Sequence, residues 1–246
     1  MLNEQTSLFN YSLTDSELRF KTLEEVKEVC KYCYKCKLSE SRTQIVFSDG
    51  NSNAKIMLIG EGPGKNEDET GIPFVGKAGQ LLDKILLSQN ITREKDIYIC
   101  NTVKCRPPEN RVPLQDEMAA CREYLDAQLQ LVRPKIILLA GATAVKSMLD
   151  VNGKAGGANA HHNVLAGRSD DNMNATVSLA MSKPRNSFNM PISKIRGQWF
   201  DGPFESKIMP IFHPSYLLRN QSTVQGSPKW LMWQDIQEVR KVLDSL

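Results

Sequence analysis

The chain has 246 residues, a formal net charge of +3 and six cysteines. This length is sufficient for one domain with a substantial core, or for one domain plus an extension. No apolar run approaches the roughly 20 residues of a membrane span, and the polar residues 1–20 do not resemble a signal peptide. The sequence therefore predicts a cytoplasmic protein without membrane association, whose cysteines are reduced thiols. The small net charge does not indicate nucleic-acid binding, although Lys104, Arg106 and Arg111 form a local basic cluster.

Short apolar runs alternate with helical patterns along the chain. The runs predict buried strands at 55–60, 96–101, 135–141 and 207–212. The helical patterns lie at 78–88, 114–132 and 229–246. The core face of the last helix is predicted to contain Trp230, Trp233, Ile236 and Val239. Strands separated by helices predict an α/β protein with a parallel sheet that is covered on both faces.

Polar and glycine-rich residues follow three of these predicted strands. They are Gly60-Glu61-Gly62, Asn101 and His213-Pro214-Ser215. In parallel sheets, ligands bind beyond the carboxyl ends of the strands. We therefore expect these three segments to form one pocket.

Residues 151–193 do not fit the pattern of alternating strands and helices. The segment is rich in Gly, Asn, Ser and Ala and has no sustained hydrophobic period. It is too long for an ordinary connection, so the sequence predicts a flexible insertion. His161-His162 lies within it without nearby acidic or thiol partners, which argues against a metal site there.

Four cysteines, Cys33, Cys36, Cys105 and Cys121, have the pattern of ligands to one metal centre. Cys33 and Cys36 are spaced so that one turn presents two thiolates, and Cys105 and Cys121 flank a proline-rich loop and the start of a helix. Cys30 creates a second Cys-x-x-Cys, so spacing alone leaves the register open. Zinc and an iron–sulfur cluster both accept four thiolates, and spacing does not distinguish them. The sixth cysteine, within an apolar strand, is predicted to be a core residue.

The segment Gly60-Glu61-Gly62-Pro63-Gly64 follows a strand as a phosphate-binding loop would, but Glu61 would repel a phosphate. A tight turn is the alternative. Asn101 offers both donors and an acceptor, as needed to read a pyrimidine edge, although a lone asparagine is more often a turn former. His213 before a proline is often a structural histidine. Their placement at neighbouring strand ends favours a shared functional role.

Four motifs together resemble the family 4 uracil-DNA glycosylases. They are residues 60–64 (GEGPG), 71–82 (GIPFVGKAGQLL), 101–108 (NTVKCRPP) and 213–219 (HPSYLLR). The resemblance extends from about residue 29 to the C-terminus apart from the insertion, and it leaves residues 1–28 as an N-terminal extension. It implies a three-layer α/β/α sandwich around a central four-stranded parallel sheet, and a [4Fe-4S] cluster. Because Lys37-Leu38 and Arg42 follow Cys33-x-x-Cys36 as in the family, Cys30 falls outside the ligand set.

The resemblance also implies an activity. The enzyme would be a monomer that flips uracil out of single- or double-stranded DNA, hydrolyses its N-glycosidic bond and leaves an abasic site. Glu61 would hold the water and stabilise the sugar cation, and His213 would donate to uracil O2. Asn101 would read the O4 and N3 edge of the base.

The remaining roles implied by the resemblance concern the base and the DNA. Phe74 would stack on the flipped base, and Glu67 would crowd the position of a thymine methyl group. The other predicted base-pocket residues are Gly62 and Pro63. Leu217 would enter the vacated stack as an apolar wedge, while the predicted DNA contacts are Arg106 and Arg219. The cluster would brace the Arg106-Pro107-Pro108 loop.

Two other classes of protein are alternatives to a glycosylase. A DNA-binding or polymerase-associated module could keep the fold without turnover, but Glu61, Asn101 and His213 are all present. A cluster protein of electron transfer would not need a base-reading asparagine. Both alternatives predict that uracil-containing DNA stays intact.

Overall fold

A computed structural model of the chain describes residues 19–149 and 191–246. Most of the predicted insertion, including His161-His162, lies outside the described residues, as do residues 1–18. The last predicted insertion residues fall in a described helix, Ile192–Ile195. Within the described ranges, no helix is both long enough and apolar enough to cross a membrane.

The described strands form one mixed sheet of six strands. They are β1 (Asp49–Gly50), β2 (Ile56–Gly60), β3 (Ile97–Asn101), β4 (Ile136–Ala140), β5 (Phe200–Asp201) and β6 (Lys207–Ile211). Their order is β1-β3-β2-β4-β6-β5. The pairs β3–β2, β2–β4 and β4–β6 are parallel, whereas β1 and β5 pair antiparallel at the two edges. The four predicted strands are found within one residue of their predicted bounds. The two edge strands were not predicted, because two residues are too few for a periodic signal.

Nine helices occur in the described part of the chain. They are α1 (Leu23–Lys31), α2 (Leu38–Ser41), α3 (Lys65–Thr70), α4 (Lys77–Leu87), α5 (Gln115–Val132), α6 (Ala142–Met148), α7 (Ile192–Ile195), α8 (Pro214–Arg219) and α9 (Pro228–Asp244). The three predicted helices correspond to α4, α5 and α9. Helix α5 starts after the capping contact of Glu117 with the Leu114 N–H and ends before Pro134, as the sequence predicted.

Alternate residues of each central strand pack on opposite faces of the sheet. On β2, Ile56 and Leu58 join a core with apolar residues of α4, α8 and α9, while Met57 and Ile59 join a second core with residues of α5 and α6. This period of two is the geometry of a strand that is buried on both faces. The helices therefore cover both faces of the sheet and leave the carboxyl ends of the central strands uncovered.

Helix α1 packs on α5 and contributes to a third core cluster. A capping box between Thr22 and Glu25 starts the helix, and Val26 is buried on its inner face. Because α1 starts at Leu23, the boundary predicted at residues 28 and 29 falls inside it.

The predicted core face of α9 is confirmed at Ile236 and Val239, whereas Trp230 is only half-buried and the prediction is wrong at Trp233. Trp233 is 40% exposed, whereas Met232 and Asp235 are buried beside Ile236. Asp235 occupies the core-facing side because Arg196 Nε donates to its carboxylate at 2.7 Å, which satisfies the buried charge.

Candidate active site

A cleft lies at the carboxyl ends of the central strands. Residues Gly60 and Asn101 are direct partners at the ends of β2 and β3, while Ala140 and Ile211 are partners at the ends of β4 and β6. The side chains that follow these ends converge on the cleft. Its lining includes eight of the ten residues predicted for catalysis, substrate and DNA, namely Glu61, Gly62, Pro63, Glu67, Phe74, Asn101, His213 and Arg219. Arg106 and Leu217 are not among its lining residues.

Asn101 lies in this cleft with an unused acceptor. Its side chain is 2% exposed, and its Oδ1 has no hydrogen-bond partner among the described residues. Because Asn101 lines the cleft, this buried acceptor is available to a ligand that enters it. A Cβ at Gly60 would overlap both Asn101 Oδ1 and the Phe74 ring. Glycine at position 60 therefore allows these two side chains to approach the end of β2.

Phe74 is held in a left-handed backbone conformation, with φ of 55°. Arg93 Nη2 donates to the Phe74 carbonyl at 2.6 Å and Nη1 donates to the Pro73 carbonyl at 2.9 Å. Carboxylates of Asp83 and Asp49 lie 2.8 and 2.7 Å from the same guanidinium. A non-glycine residue in this conformation is costly, so the Arg93 contacts hold a strained aromatic at the cleft. Sequence reasoning missed Arg93, since nothing in its polar turn marks it.

The Glu67 carboxylate is bound by three backbone N–H groups. Gly64, Val75 and Gly76 donate to it at 3.1, 3.0 and 2.8 Å. These bonds connect the start of α3 to the loop that carries Phe74. The side chain lines the cleft, and its proposed exclusion of a thymine methyl group stays a prediction.

Glu61 is oriented by a residue that the sequence did not single out. The Thr143 hydroxyl donates to Glu61 Oε2. Thr143 belongs to α6, directly after β4, and is buried. The bond therefore fixes one carboxylate oxygen of Glu61 from the neighbouring strand, since β2 and β4 are paired.

His213 combines a neutral ring with a fixed tautomer. The pKa of His213 is lowered to about 4, first by burial and then by the nearby Arg219 charge, while Glu67 opposes both effects. The Ser215 backbone N–H donates to Nδ1 at 3.2 Å. A neutral imidazole that accepts at Nδ1 carries its proton on Nε2. The ring packs 5.9 Å from the Phe74 ring centroid, so His213 presents an N–H donor beside the aromatic side chain.

The predicted wedge, Leu217, is wrong in this structure. Its side chain is 0% exposed and belongs to the core shared with α4 and α9. Pro214 and Leu217 are three residues apart on a short helix, so both face inward. The exposed side chains of α8 are Tyr216 and Arg219.

The predicted basic cluster is only partly available to DNA. Lys104 is 0% exposed, which contradicts its place in a surface cluster. Arg111 makes a bidentate ion pair with Glu117, with distances of 2.8 and 2.6 Å. Arg106 is partly exposed, and its Nε donates to Asn110 Oδ1 at 2.8 Å. Arg106 therefore remains as a candidate for phosphate contact at the rim of the cleft.

A second cavity is lined by the four predicted metal ligands, Cys33, Cys36, Cys105 and Cys121, and also by Cys30. The sixth cysteine, Cys100, is buried in β3, as predicted. Burial raises the pKa of Cys121 to about 12, against the opposing effect of the Lys104 ammonium. Two donors point at sulfur: Lys104 N–H reaches Cys121 Sγ at 3.3 Å, and Arg42 Nη1 reaches Cys105 Sγ at 3.1 Å. Such donors suit sulfur atoms that carry negative charge.

The same thiols are not gathered into the geometry of a single-ion site. Among the described residues, no group of three or more Cys, His, Asp or Glu side chains is arranged to hold one metal ion. Their shared cavity, the sulfur chemistry and the donors aimed at sulfur fit a thiolate-bound group held between α1, the following turn and α5.

A family model matches a part of the chain that includes all the residues lining the cleft. A family model described as the uracil DNA glycosylase superfamily matches residues 47–237. The chain is 37% identical over 225 residues to a type-4 uracil-DNA glycosylase of Thermotoga maritima, covering 92% of this chain and 96% of the relative. It is 33% identical over 225 residues to a type-4 enzyme of Sulfurisphaera tokodaii, covering 90% and 84%. A type-5 uracil-DNA glycosylase of Pyrobaculum aerophilum is 30% identical over 130 residues, covering 47% and 57%.

The chain belongs to the uracil DNA glycosylase superfamily. The relatives that align with more than four-fifths of both chains are type-4 enzymes. The resemblance inferred from the four sequence motifs is therefore confirmed.

Proposed function

We propose that this chain is a type-4 uracil-DNA glycosylase, which removes uracil from DNA in base excision repair and leaves an abasic site. The observation that carries the proposal is the unpaired, buried Oδ1 of Asn101 in a cleft that also holds Glu61 and His213. A base inside a duplex cannot reach such a cleft, so the nucleotide must be flipped out.

Asn101 reads the flipped base. Its free Oδ1 accepts the N3–H of uracil, and its amide nitrogen donates to O4. Cytosine lacks the N3 proton and presents an amino group in place of O4, so it would leave the buried oxygen unpaired. Phe74 stacks on the base from a loop that Arg93 and Glu67 hold in place.

Two side chains act on the glycosidic bond. As the bond breaks, negative charge develops on uracil, and the Nε2–H of neutral His213 donates to O2. Positive charge develops on the sugar, and the Glu61 carboxylate stabilises it. Thr143 occupies one Glu61 oxygen, which leaves the other to orient the attacking water. His213 acts as a neutral donor near neutral pH, because its pKa is lowered to about 4.

Cys33, Cys36, Cys105 and Cys121 would hold a [4Fe-4S] cluster, whose role when bound is structural. Cys105 directly precedes the Arg106-Pro107-Pro108 loop, whose second residue lines the cleft. Thiolate ligation at Cys105 would therefore hold that loop in place, with Arg106 positioned to contact phosphate. Arg219, exposed at the cleft, is the second phosphate contact.

The parallel pairing of four strands and the helices on both faces support a three-layer α/β/α sandwich with a central four-stranded parallel sheet. We further propose that the protein is a cytoplasmic monomer that accepts single- and double-stranded DNA. Reduced cysteines fit a reducing compartment. A one-chain cleft that contains all the proposed catalytic groups fits a monomer.

The test is excision from a defined substrate. Purified protein is incubated with a single-stranded oligonucleotide that contains one uracil, and abasic sites are detected by alkaline cleavage. The same strand with thymine is the substrate control, and Asn101→Ala is the protein control. We expect cleavage at uracil only, with a loss in the variant. Binding of the strand without abasic sites would instead identify a DNA-binding module that lacks turnover.

A further inference from the structure

A buried lysine lies between the cysteine cavity and the base-reading cleft. Lys104 is 0% exposed, and in the described part of the chain its Nζ donates to a main-chain carbonyl rather than to a carboxylate. A buried ammonium without a counter-charge is strongly unfavourable. A buried ammonium here therefore needs a counter-charge from its surroundings. Lys104 lines the cavity that contains five cysteines, whose thiolates would supply that charge.

The two ends of this residue make different contacts. The Lys104 backbone N–H donates to Cys121 Sγ at 3.3 Å. Its Nζ donates to the main-chain carbonyl of Asn101 at 2.6 Å, a short charge-assisted bond. This carbonyl belongs to the last residue of β3, whose side chain carries the unpaired Oδ1. One residue thus contacts a predicted metal ligand and also fixes the backbone of the base reader.

We propose that Lys104 is a positioning residue that couples the cysteine cavity to base recognition. Its ammonium balances the negative charge of thiolates in the cavity, and its bond to the Asn101 carbonyl holds the reading amide in register. The proposal rests on the proposed function, because it needs both a thiolate-bound cluster and a uracil-reading Asn101. It adds that loss of the cluster weakens uracil recognition, because the residue that holds the Asn101 carbonyl is itself bonded to the Cys121 sulfur.

The test uses the full-length protein, purified anaerobically, and the variant Lys104→Met, which keeps the chain length and removes the charge. Two quantities are measured besides activity. The first is the state of the cluster, followed by its reduction potential and by the rate at which a chelator removes its visible absorption. The second is base-specific affinity. It is the affinity for a single strand that contains 2′-fluoro-2′-deoxyuridine, which resists cleavage, divided by the affinity for the same strand with thymidine.

We expect Lys104→Met to lose its absorption about 10–100-fold faster than the parent, as for other groups that support metal ligands. Its reduction potential should be more negative, because a nearby positive charge favours the reduced cluster. The affinity ratio should fall toward one. A second variant, Lys104→Gln, keeps a neutral donor and should shift the potential in the same direction, so the test does not depend on one variant folding.

Two controls separate this role from general destabilisation. Gln128→Met removes a buried amide that donates to the Phe47 carbonyl and to Tyr98, away from both cavities, so it should lower the melting temperature alone. Arg42→Met removes the cation on Cys105 and should shift the potential without changing the affinity ratio. An unchanged potential in both Lys104 variants would overturn the counter-charge role. An unchanged affinity ratio would overturn the link to Asn101. Absence of iron from the parent would instead overturn the proposed cofactor, and the counter-charge role with it.

Discussion

Replacement of His213 by alanine tests the leaving-group chemistry. The variant removes the Nε2–H donor, whose tautomer is fixed by the Ser215 N–H at 3.2 Å. Loss of one preorganised donor to a developing anion typically lowers the rate about 10²–10³-fold, or roughly 3–4 kcal/mol. We expect this loss in single-turnover excision, with DNA affinity nearly unchanged. His213→Gln, which keeps an N–H donor, should recover part of the rate.

The pH dependence of folding stability and of excision provides a second, independent test of the neutral His213 ring. The unfolded chain binds a proton near the ordinary His pKa of 6.5, whereas folded His213 binds it near 4. Folding stability linked to this group is therefore complete above pH 6.5 and decreases as the pH falls toward 4. The difference between these pKa values corresponds to about 3 kcal/mol at pH values below both. Excision should persist down to about pH 5 without a step near 6.5, since the ring stays neutral.

Melting curves and binding titrations on both His213 variants decide between mechanism and structure. If His213 only stabilises the Pro214 turn, His213→Ala should lose stability, DNA affinity and activity together. Single-turnover excision at the parent rate would refute the proposed donor role. A loss of activity centred at pH 6.5 in the parent would refute the neutral-ring argument.

The remaining predictions concern the other cleft residues and the cysteines. Asn101→Asp should weaken uracil excision, because a carboxylate lacks the amide donor and repels the uracil anion, and it should gain weak action on cytosine. Excision of uracil at the parent rate would remove Asn101 as the reader. Thr143→Val should slow single-turnover excision about 10–100-fold by releasing the Glu61 carboxylate, while Thr143→Ser should stay near the parent; equal rates for Val and Ser would contradict the positioning role. As-purified protein should be brown, and alanine variants should lose the colour at Cys33, Cys36, Cys105 and Cys121. Alanine at Cys30 or Cys100 should keep it, and a colourless parent holding one zinc would exclude the iron–sulfur cluster.

The sheet was predictable because its central strands are continuous apolar runs that end at glycine or polar residues. The run that became β2 is completely buried and ends at Gly60, so its bounds follow from composition alone. Glu61, Asn101 and His213 were identified by the same signal, since each stands at or just beyond the end of a strand. The end of an apolar run can be recognised in the sequence, and ligands bind beyond the carboxyl ends of parallel strands, so the same residues indicate the position of the site.

Burial decided the cases that sequence reasoning got wrong. Lys104 is part of a basic cluster in the sequence, yet its side chain points inward. Its Nζ donates to the Asn101 carbonyl, and the residue lines the cysteine cavity. Leu217 lies in a motif whose resemblance implies a wedge, yet the phase of a short helix turns it into the core. Trp233 is exposed, and Asp235 occupies the core-facing position instead. Asp235 can be buried because Arg196, which is remote in sequence, pairs with its carboxylate. The partner of Asp235 and the core around Leu217 are remote in sequence, and the cavity that Lys104 lines exists only in the folded chain, so local pattern could not show these outcomes.

Other side chains also preorganise the cleft. The Thr143 hydroxyl bonds to one Glu61 carboxylate oxygen, Arg93 bonds to the Phe74 carbonyl, and Lys104 bonds to the Asn101 carbonyl. Backbone anchoring leaves the Phe74 ring and the Asn101 amide free to meet the base. A site whose dipoles are already oriented needs no reorganisation during the reaction, which is the main source of electrostatic stabilisation. We therefore expect substitutions of Thr143, Arg93 and Lys104 to lower the rate of excision, although none of these residues is proposed to contact DNA.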